Sequence, residues 1–590
     1  MNVNALQAML AEDWRTFPAE EVMKRAKRFT KEARRTELGR KVKIAVLAGF
    51  LTDYLADTLI LMLARRGIAA ELWLAPYGVM ASAVLDKTSD LHNFRPDLVL
   101  LLPSHRDFMQ TPPAAASAEA AQSAAKAEAA SWRSLWKLLD GPVVQLTFDP
   151  PPVRPLGELD GFFPCGLLNH VRRVNGCLAD NPPGHVALVD AEWLAVRAGL
   201  DRWHDARLYD MCKQPFAFEV LPMLADALSG AVAGLLGCGR KCLILDLDNT
   251  LWGGEVGDIG SAGITLGPET SEGAPFVFFQ QYCKKLSQRG VVLAVCSKNA
   301  DATARAPFLE HSAMVLSLDD IACFVANFED KASNIRQIAK TLNLGLDAMV
   351  LVDDHPVERA WVRSQLPDVQ VIELPQDPAG FVHALDDTGA FPIARLTAED
   401  FGRTKSYRLQ ATLAQCETGT ADMDGFLASL EPRVVIEPVT PASLDRIVQI
   451  IAKTNQFKLN AVAFSAADID RRPSEVLALR MKDKLQDYGI VAVAVTHAKD
   501  RSLHIDNWVM SCRVFSRRLE YATRQLMARR ATEYGLKNLS LVYKPSPKNG
   551  LIADLLPRLG FVKSGTDEWV APVDPPADIP AHHITIVDTQ

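Results

Sequence analysis

The chain has 590 residues, a formal net charge of -7, and a composition that is 48% hydrophobic and 23% charged. That length exceeds one ordinary core, so about three domains are expected, in a chain with the balance of a soluble globular protein. The mild acidity gives no reason to expect nucleic acid as the main partner. Ten cysteines are present, with no C-x-x-C pair; neither a zinc site nor a disulfide framework is suggested, and a reduced, cytosolic setting is predicted. No apolar run approaches the ~20 residues that a membrane span needs. The N-terminus, MNVNALQAMLAEDW, lacks the basic start and apolar core of a signal peptide.

An opening helical region leads to the strand pattern KIAVLAGF at Lys43 to Phe50. Asp97 to Leu102 and Val143 to Leu146 supply two further buried strands, so the chain to about residue 228 is predicted to be an α/β unit. Between them Thr111 to Ser131 opens on a Pro-Pro pair, Pro112-Pro113, and is then rich in Ala, Glu, Gln and Ser. That composition predicts an exposed helix or a mobile surface insertion rather than a packed element.

The most informative stretch is Lys241 to Gly254, KCLILDLDNTLWGG. A run of branched aliphatic residues ends in Asp246 and Asp248, with Thr250 two positions on. The run reads as a strand buried on both faces. Carboxylates at its C-terminal end would sit where open α/β sheets place their chemistry. In an extended segment, residues two apart face the same way, so Asp246 and Asp248 would share a site and need a cation or a proton between them. Oxygen ligands at a phosphate site make Mg²⁺ the natural cation. A second buried strand, Gly290 to Cys296, ends in Ser297-Lys298-Asn299. Lys331 follows in FEDKASN ahead of a helical pattern, and a third strand, Ala348 to Val352, ends in Asp353-Asp354. Beyond about residue 400, helices mix with strands such as Ile490 to Thr496, and a polar, Pro-rich tail follows. No internal repeat is found.

A strand-end Asp pair, a strand-end Ser, a lysine and a second strand-end Asp pair resemble the four motifs of the haloacid dehalogenase phosphatases. The resemblance implies that Asp246 attacks phosphorus to give an aspartyl-phosphate. It implies that Asp248 protonates the leaving oxygen and later activates water. Ser297 would hydrogen-bond a phosphoryl oxygen and Lys331 would balance charge. Asp353 and Asp354 would complete the Mg²⁺ shell with Asp246 and the backbone carbonyl of Asp248; the motif does not say which of the last pair ligates directly.

The stretches LDLDNTLWGGEVGDIG, AVCSKN, LVDDHPVER, KTNQFKLN, MKDKLQDYGIVAVAV and SCRVFSRRLE together look like the FkbH-like proteins. The fold implied is α/β with three domains. A Rossmann-like, capless phosphatase domain (235–385) is flanked by a degenerate SGNH-hydrolase-like α/β domain (1–228) and an acyltransferase (GNAT)-like α+β domain (400–575). The chemistry implied is removal of phosphate from 1,3-bisphosphoglycerate and delivery of the glyceryl group to the phosphopantetheine thiol of an acyl carrier protein. The N-terminal segment Ala48 to Asp53 lacks the Gly-Asp-Ser of a working SGNH hydrolase, so that domain reads as a binding or docking module.

Two cysteines compete as the acyl-holding thiol. Cys296 adjoins Ser297, while Cys512 neighbours Arg513, with Arg517 and Arg518 nearby; cations favour a thiolate. The plain alternative for both is a small buried apolar residue. Arg513, Arg517 and Arg518 stand where acetyltransferases bind a pyrophosphate through a Gly-rich loop, yet the glycines are missing, which leaves binding of the carrier arm to charge. Asn455 to Phe457 and Asp487 to Gly489 are candidate acyl-channel residues, with packing and turn roles equally open. Trp252-Gly253-Gly254 permits a tight loop over the Asp site. Three readings follow: a glyceryl transferase and phosphatase; a phosphatase for another small phosphorylated metabolite; and a docking scaffold without turnover.

Overall fold

The computed structural model describes residues 3–33, 39–113, 115–139, 141–396, 398–417, 423–454, 456–460, 462, 464–484, 487–515, 517–546, 549–576, 579–580 and 582–587. The chain divides into two compact units. One holds residues 1–238 with two short later segments, and the other holds nearly all of the remainder.

In the first unit a five-stranded sheet contains β1 (Arg40–Ala48), β2 (Ile68–Leu74), β3 (Leu98–Leu102), β4 (Val143–Leu146) and β5 (Val186–Val189). All pairs are parallel, in the order β2-β1-β3-β4-β5. Both faces are covered, as parallel sheets require. Ile44, Val46 and Ala48 pack with helices Asp53–Arg65 and Leu221–Leu236; Ala45 and Leu47 face helices Ala118–Leu138 and Leu167–Ala179.

Two expectations are corrected here. The Ala-rich stretch is no loose insertion. It forms most of helix Ala118–Leu138, in which Ala121, Ala125, Glu128, Ala129 and Trp132 are buried. Small side chains at helical spacing make a narrow stripe that lets the helix pack closely, which composition alone does not reveal. The stretch Phe218–Leu236 is long and apolar enough to cross a membrane, contrary to the reading of apolar runs; 61% of its most apolar window is buried within the fold.

The second unit holds two sheets. The central one contains β6 (Cys242–Leu245), β7 (Val292–Ser297), β8 (Ile321–Ala326), β9 (Met349–Val352) and β10 (Gln370–Val371), all parallel, in the order β10-β9-β6-β7-β8. Leu243 and Leu245 face helix Ala274–Gln288, while Cys242 and Ile244 face helix Lys331–Leu342. The three strands expected from the sequence, β6, β7 and β9, therefore lie side by side and bring their C-terminal ends to one edge.

The third sheet is mixed and eight-stranded: β11 (Arg433–Glu437), β12 (Val476–Lys482), β13 (Asp487–Lys499), β14 (Ser502–Met510), β15 (Asn538–Val542), β16 (Val562–Lys563), β17 (Glu568–Pro572) and β18 (Thr585–Val587). Its order is β16-β17-β15-β14-β13-β12-β11-β18. β18 lies in the polar tail, which returns to pair in parallel with β11 rather than trailing away. Helix Arg403–Glu417 joins the two cores: Tyr407 and Ala411 enter the central one and Leu409 packs against the other.

Candidate active site

The site lies at the carboxyl edge of the central sheet. Asp246 follows β6 directly, and its backbone N–H donates to Val352 O of β9 at 3.0 Å. Lys331 is the first residue of helix Lys331–Leu342, whose cap, Asp330, accepts from Ser333 N at 3.1 Å. The cap fixes where the helix begins and so where the lysine stands. Lys331 Nζ lies 2.8 Å from Asp246 Oδ2 and 2.5 Å from Asp353 Oδ2. Asp354 completes the group: one carboxylate oxygen from each of Asp246, Asp353 and Asp354 falls within 4.8 Å of the others.

Three buried or half-buried carboxylates face one ammonium, so the charge is not balanced by protein alone. Burial pushes the Asp246 carboxyl up to about 7, with Asp353 adding to the shift and Lys331 opposing it. Asp354 is raised as well, by burial and then by Asp353. Lys331, which burial alone would lower, is held above the usual lysine range by Asp246 and Asp353. An all-oxygen donor set with excess negative charge fits a hard divalent cation. The loop that bears the second Asp pair is fixed from behind. Arg359 donates to the carbonyls of Asp353 (2.8 Å) and Asp354 (2.6 Å), and Asp354 N donates to the buried Thr250 hydroxyl at 3.2 Å.

Asp248 has a different setting. Its Oδ1 accepts from Trp252 Nε1 at 2.9 Å and from Val256 N at 3.0 Å; its Oδ2 accepts from Asn299 Nδ2 at 2.8 Å. The same Asn299 Nδ2 lies 3.3 Å from Ser297 Oγ. The backbone turns sharply after Asp248, with Asn249 at φ 53°. The expectation that Asp246 and Asp248 press their carboxylates together is thus corrected: Asp353 is the carboxylate that shares Lys331 with Asp246. The carboxylate of Asp248 is not part of the group of three that Asp246, Asp353 and Asp354 form.

The family model described as "FkbH, N-terminal domain" matches residues 43–233. A crystal structure of the N-terminal part of the protein BF1531 from Bacteroides fragilis, containing a phosphatase domain and complexed with Mg, is 31% identical. It covers 64% of this chain and 100% of its own, with a TM-score of 0.57. This chain is an FkbH-like protein of the haloacid dehalogenase superfamily. Two acetyltransferase structures cover smaller parts of this FkbH-like chain. The ribosomal-protein-S18-alanine N-acetyltransferase from Escherichia coli covers 25% of it and 99% of its own chain, at 14% identity and TM-score 0.19. A GNAT-family acetyltransferase from Staphylococcus aureus Mu50 covers 24% and 99%, at 10% identity and TM-score 0.20. No curated protein matches the chain.

The other candidates of this FkbH-like chain fare unequally. Cys296 packs in the core formed with Cys242, Ile244 and helix Lys331–Leu342, with its Sγ 3.9 Å from Lys331 O, and it is 0% exposed. Burial pushes its thiol well above the ordinary range. A buried thiol without thiolate character is a poor acyl carrier, so adjacency to Ser297 in sequence misled: neighbours in a strand face opposite sides. Cys512 begins the turn Cys512–Val514, and its side chain lies outside the described residues, as do Asn455 and Ser516. Arg517 is buried and paired with Asp483, and it lies 4.7 Å from the centre of the Tyr488 ring, whose hydroxyl donates to the same Asp483 at 2.9 Å. Its charge is answered inside the fold, so the expected phosphate-binding role is not available to it in this arrangement. Arg513 is buried, with Nε donating to Ser511 Oγ at 3.3 Å, and Arg518 takes the N-cap position of helix Leu519–Glu533 at φ 60°. Phe457 packs on Trp508 in the core, and Asp487 pairs with Arg480.

Asn299 and Arg359 lie within the motifs but hold partners that the motifs do not announce. For Asn299 a signal existed: it lies two residues after Ser297, so continued extension would turn both toward one side. Gly253 and Gly254 do shape the loop. Gly253 N donates to Thr265 O at 3.0 Å, and Gly254, at φ 91°, donates its N–H to Asn249 Oδ1 at 2.8 Å.

Proposed function

We propose that this protein is a Mg²⁺-dependent phosphatase and acyl transferase that dephosphorylates 1,3-bisphosphoglycerate and loads the glyceryl group onto the phosphopantetheine thiol of an acyl carrier protein. The observation that carries the phosphatase half is Lys331 bridging Asp246 and Asp353, with Asp354 beside them. Mg²⁺ held by Asp246, Asp353, Asp354 and the Asp248 carbonyl would neutralise the carboxylates and the phosphoryl oxygens. Asp246 then attacks phosphorus, and the ester P–O bond breaks as Asp248 supplies a proton to the departing oxygen. Water, deprotonated by Asp248, cleaves the aspartyl-phosphate to phosphate and free Asp246. Lys331 and Ser297 offset the charge that builds on the phosphoryl oxygens.

The placement of an acid at Asp248 bears on which phosphate is hydrolysed. An alkoxide leaving from the 3-phosphoester needs that proton, whereas the carboxylate leaving from an acyl phosphate does not. On this reading the ester phosphate is removed at Asp246, and the acyl phosphate reacts with a thiol, forming the thioester and releasing phosphate. Cys512 is the thiol we assign to that step, now that Cys296 is in the core.

Intact-protein mass spectrometry after incubation with 1,3-bisphosphoglycerate, Mg²⁺ and a candidate carrier tests the proposal. The carrier gains a glyceryl mass with the wild-type enzyme, Asp246→Asn abolishes phosphate release from the ester, and Cys512→Ser stops loading. The internal pairing of Arg517 favours a second reading, a phosphatase for another small phosphorylated metabolite. Free phosphate with no carrier adduct would select it, and no turnover on any phosphate ester would select a docking scaffold.

A further inference from the structure

The N-terminal sheet carries a second group of donors, at the carboxyl ends of its own strands. His105 lies three residues past β3, Asp149 three past β4, and His204 on the segment after helix Leu200–Trp203. Asp149 Oδ2 is 3.1 Å from His105 Nδ1 and 3.5 Å from His204 Nε2. One donor atom from each residue falls within 4.8 Å of the other two. The strand order reverses between β1 and β3, so these loops border the place where open α/β sheets bind ligands.

We propose that His105, Asp149 and His204 form a Zn²⁺ site. A tetrahedral Zn²⁺ with bonds of about 2.0–2.1 Å sets its ligands about 3.3 Å apart, and the two separations from Asp149 bracket that value. Two imidazoles and one carboxylate, with one position left to water or a substrate, form a donor set of the kind catalytic zinc sites use. Nitrogen donors select Zn²⁺ over Mg²⁺, in contrast to the all-oxygen group around Asp246.

The surroundings hold each ligand in place. Asp149 is 0% exposed; its Oδ1 accepts from His105 N at 2.7 Å, and Trp203 Nε1 donates to its Oδ2 at 3.3 Å. His204 Nδ1 lies 3.3 Å from Pro215 O, which fixes the ring and leaves Nε2 toward Asp149. Outer contacts of this kind orient metal-binding imidazoles. His204 Nε2 also lies 2.9 Å from Pro150 O, and metal binding exchanges that hydrogen bond for a coordinate one. The alternative is a purely hydrogen-bonded network that pins the loops after β3 and β4, and it makes the opposite forecast for metal.

The test uses full-length protein, wild type and Asp246→Asn, stripped with chelator and dialysed against buffered Zn²⁺ in excess Mg²⁺. Mass-spectrometric metal analysis gives the stoichiometry, and Co²⁺ in place of Zn²⁺ gives the strong visible absorption of a tetrahedral site. The expected result is one equivalent of Zn²⁺ in both proteins. In His204→Gln and His105→Ala the affinity is expected to fall by more than about 100-fold, the upper range for losing only an outer contact. Circular dichroism checks that the variants are folded, and a Zn²⁺-dependent rise in Tm is expected in wild type and not in His204→Gln. Failure of the wild type to retain Zn²⁺, or equal retention by His204→Gln, overturns the proposal. Because the readout is metal content, its failure leaves the phosphatase reading intact.

Discussion

Asp248 has three donors on its carboxylate, and one of them, Asn299, also reaches Ser297. Removing Asn299 therefore takes the one donor from Oδ2 of the proposed proton donor, leaves the two on Oδ1, and does not touch Asp246 or Lys331. Asn299→Ala is expected to lower kcat about 10- to 100-fold, within the usual contribution of acid catalysis, with little change in KM. The loss should shrink for aryl phosphates, whose leaving groups need no proton; an equal loss on alkyl and aryl esters would refute a role in orienting Asp248. Asp246 makes a separate prediction about pH. With its carboxyl raised to about 7 in the metal-free protein, the folded state binds a proton that the unfolded chain, titrating near 4, has lost. Metal-free stability should then fall as pH rises from about 4 through about 7 and level off above. Mg²⁺ needs the ionised form, so binding below about pH 7 should release a proton, measurable by calorimetry in buffers of different ionisation heat.

At the scale of elements, the same kind of strand end is used in two sheets, and its loops are held by buried side chains. In the central sheet Arg359 anchors the Asp353–Asp354 loop through carbonyls that no sequence motif advertises. In the N-terminal sheet Glu128, 0% exposed, accepts from Met109 N (3.0 Å), Gln110 N (2.8 Å) and Trp132 Nε1 (2.9 Å). Glu128→Ala should cost about 1–3 kcal/mol, chiefly because the buried indole N–H loses its acceptor. Earlier thermal unfolding and faster hydrogen exchange at Met109 and Gln110 would report it; unchanged exchange there would count against this account. Strand β4 was legible to the residue and β3 to within one, because a run buried on both faces has a strong composition. Helix Ala118–Leu138 was misread because alanine serves equally on a surface and in a tight contact, and only its partner decides which.

At the scale of the molecule, helix Arg403–Glu417 ties the central core to the third sheet, with Tyr407 2% exposed. Tyr407→Ala should cost about 3–5 kcal/mol, as for other large buried aromatics. In calorimetry it should separate the melting of the two sheets of this unit; retention of one sharp transition would show that the helix is not the tie. The candidate groups at Asp246 are legible along the chain, since strand-end acids, a strand-end serine and a lysine keep their order there. The sequence by itself determined which residues could do phosphoryl chemistry, because that chemistry needs particular functional groups and buried strands announce where they end. Only the tertiary structure decided who their partners are. It gave Asp353 rather than Asp248 to Asp246, sent Cys296 into the core, spent the charge of Arg517 on Asp483, and drew His105, Asp149 and His204 together. Those outcomes depend on which strand lies beside which and on the face each side chain takes, which are long-range facts that local composition does not encode.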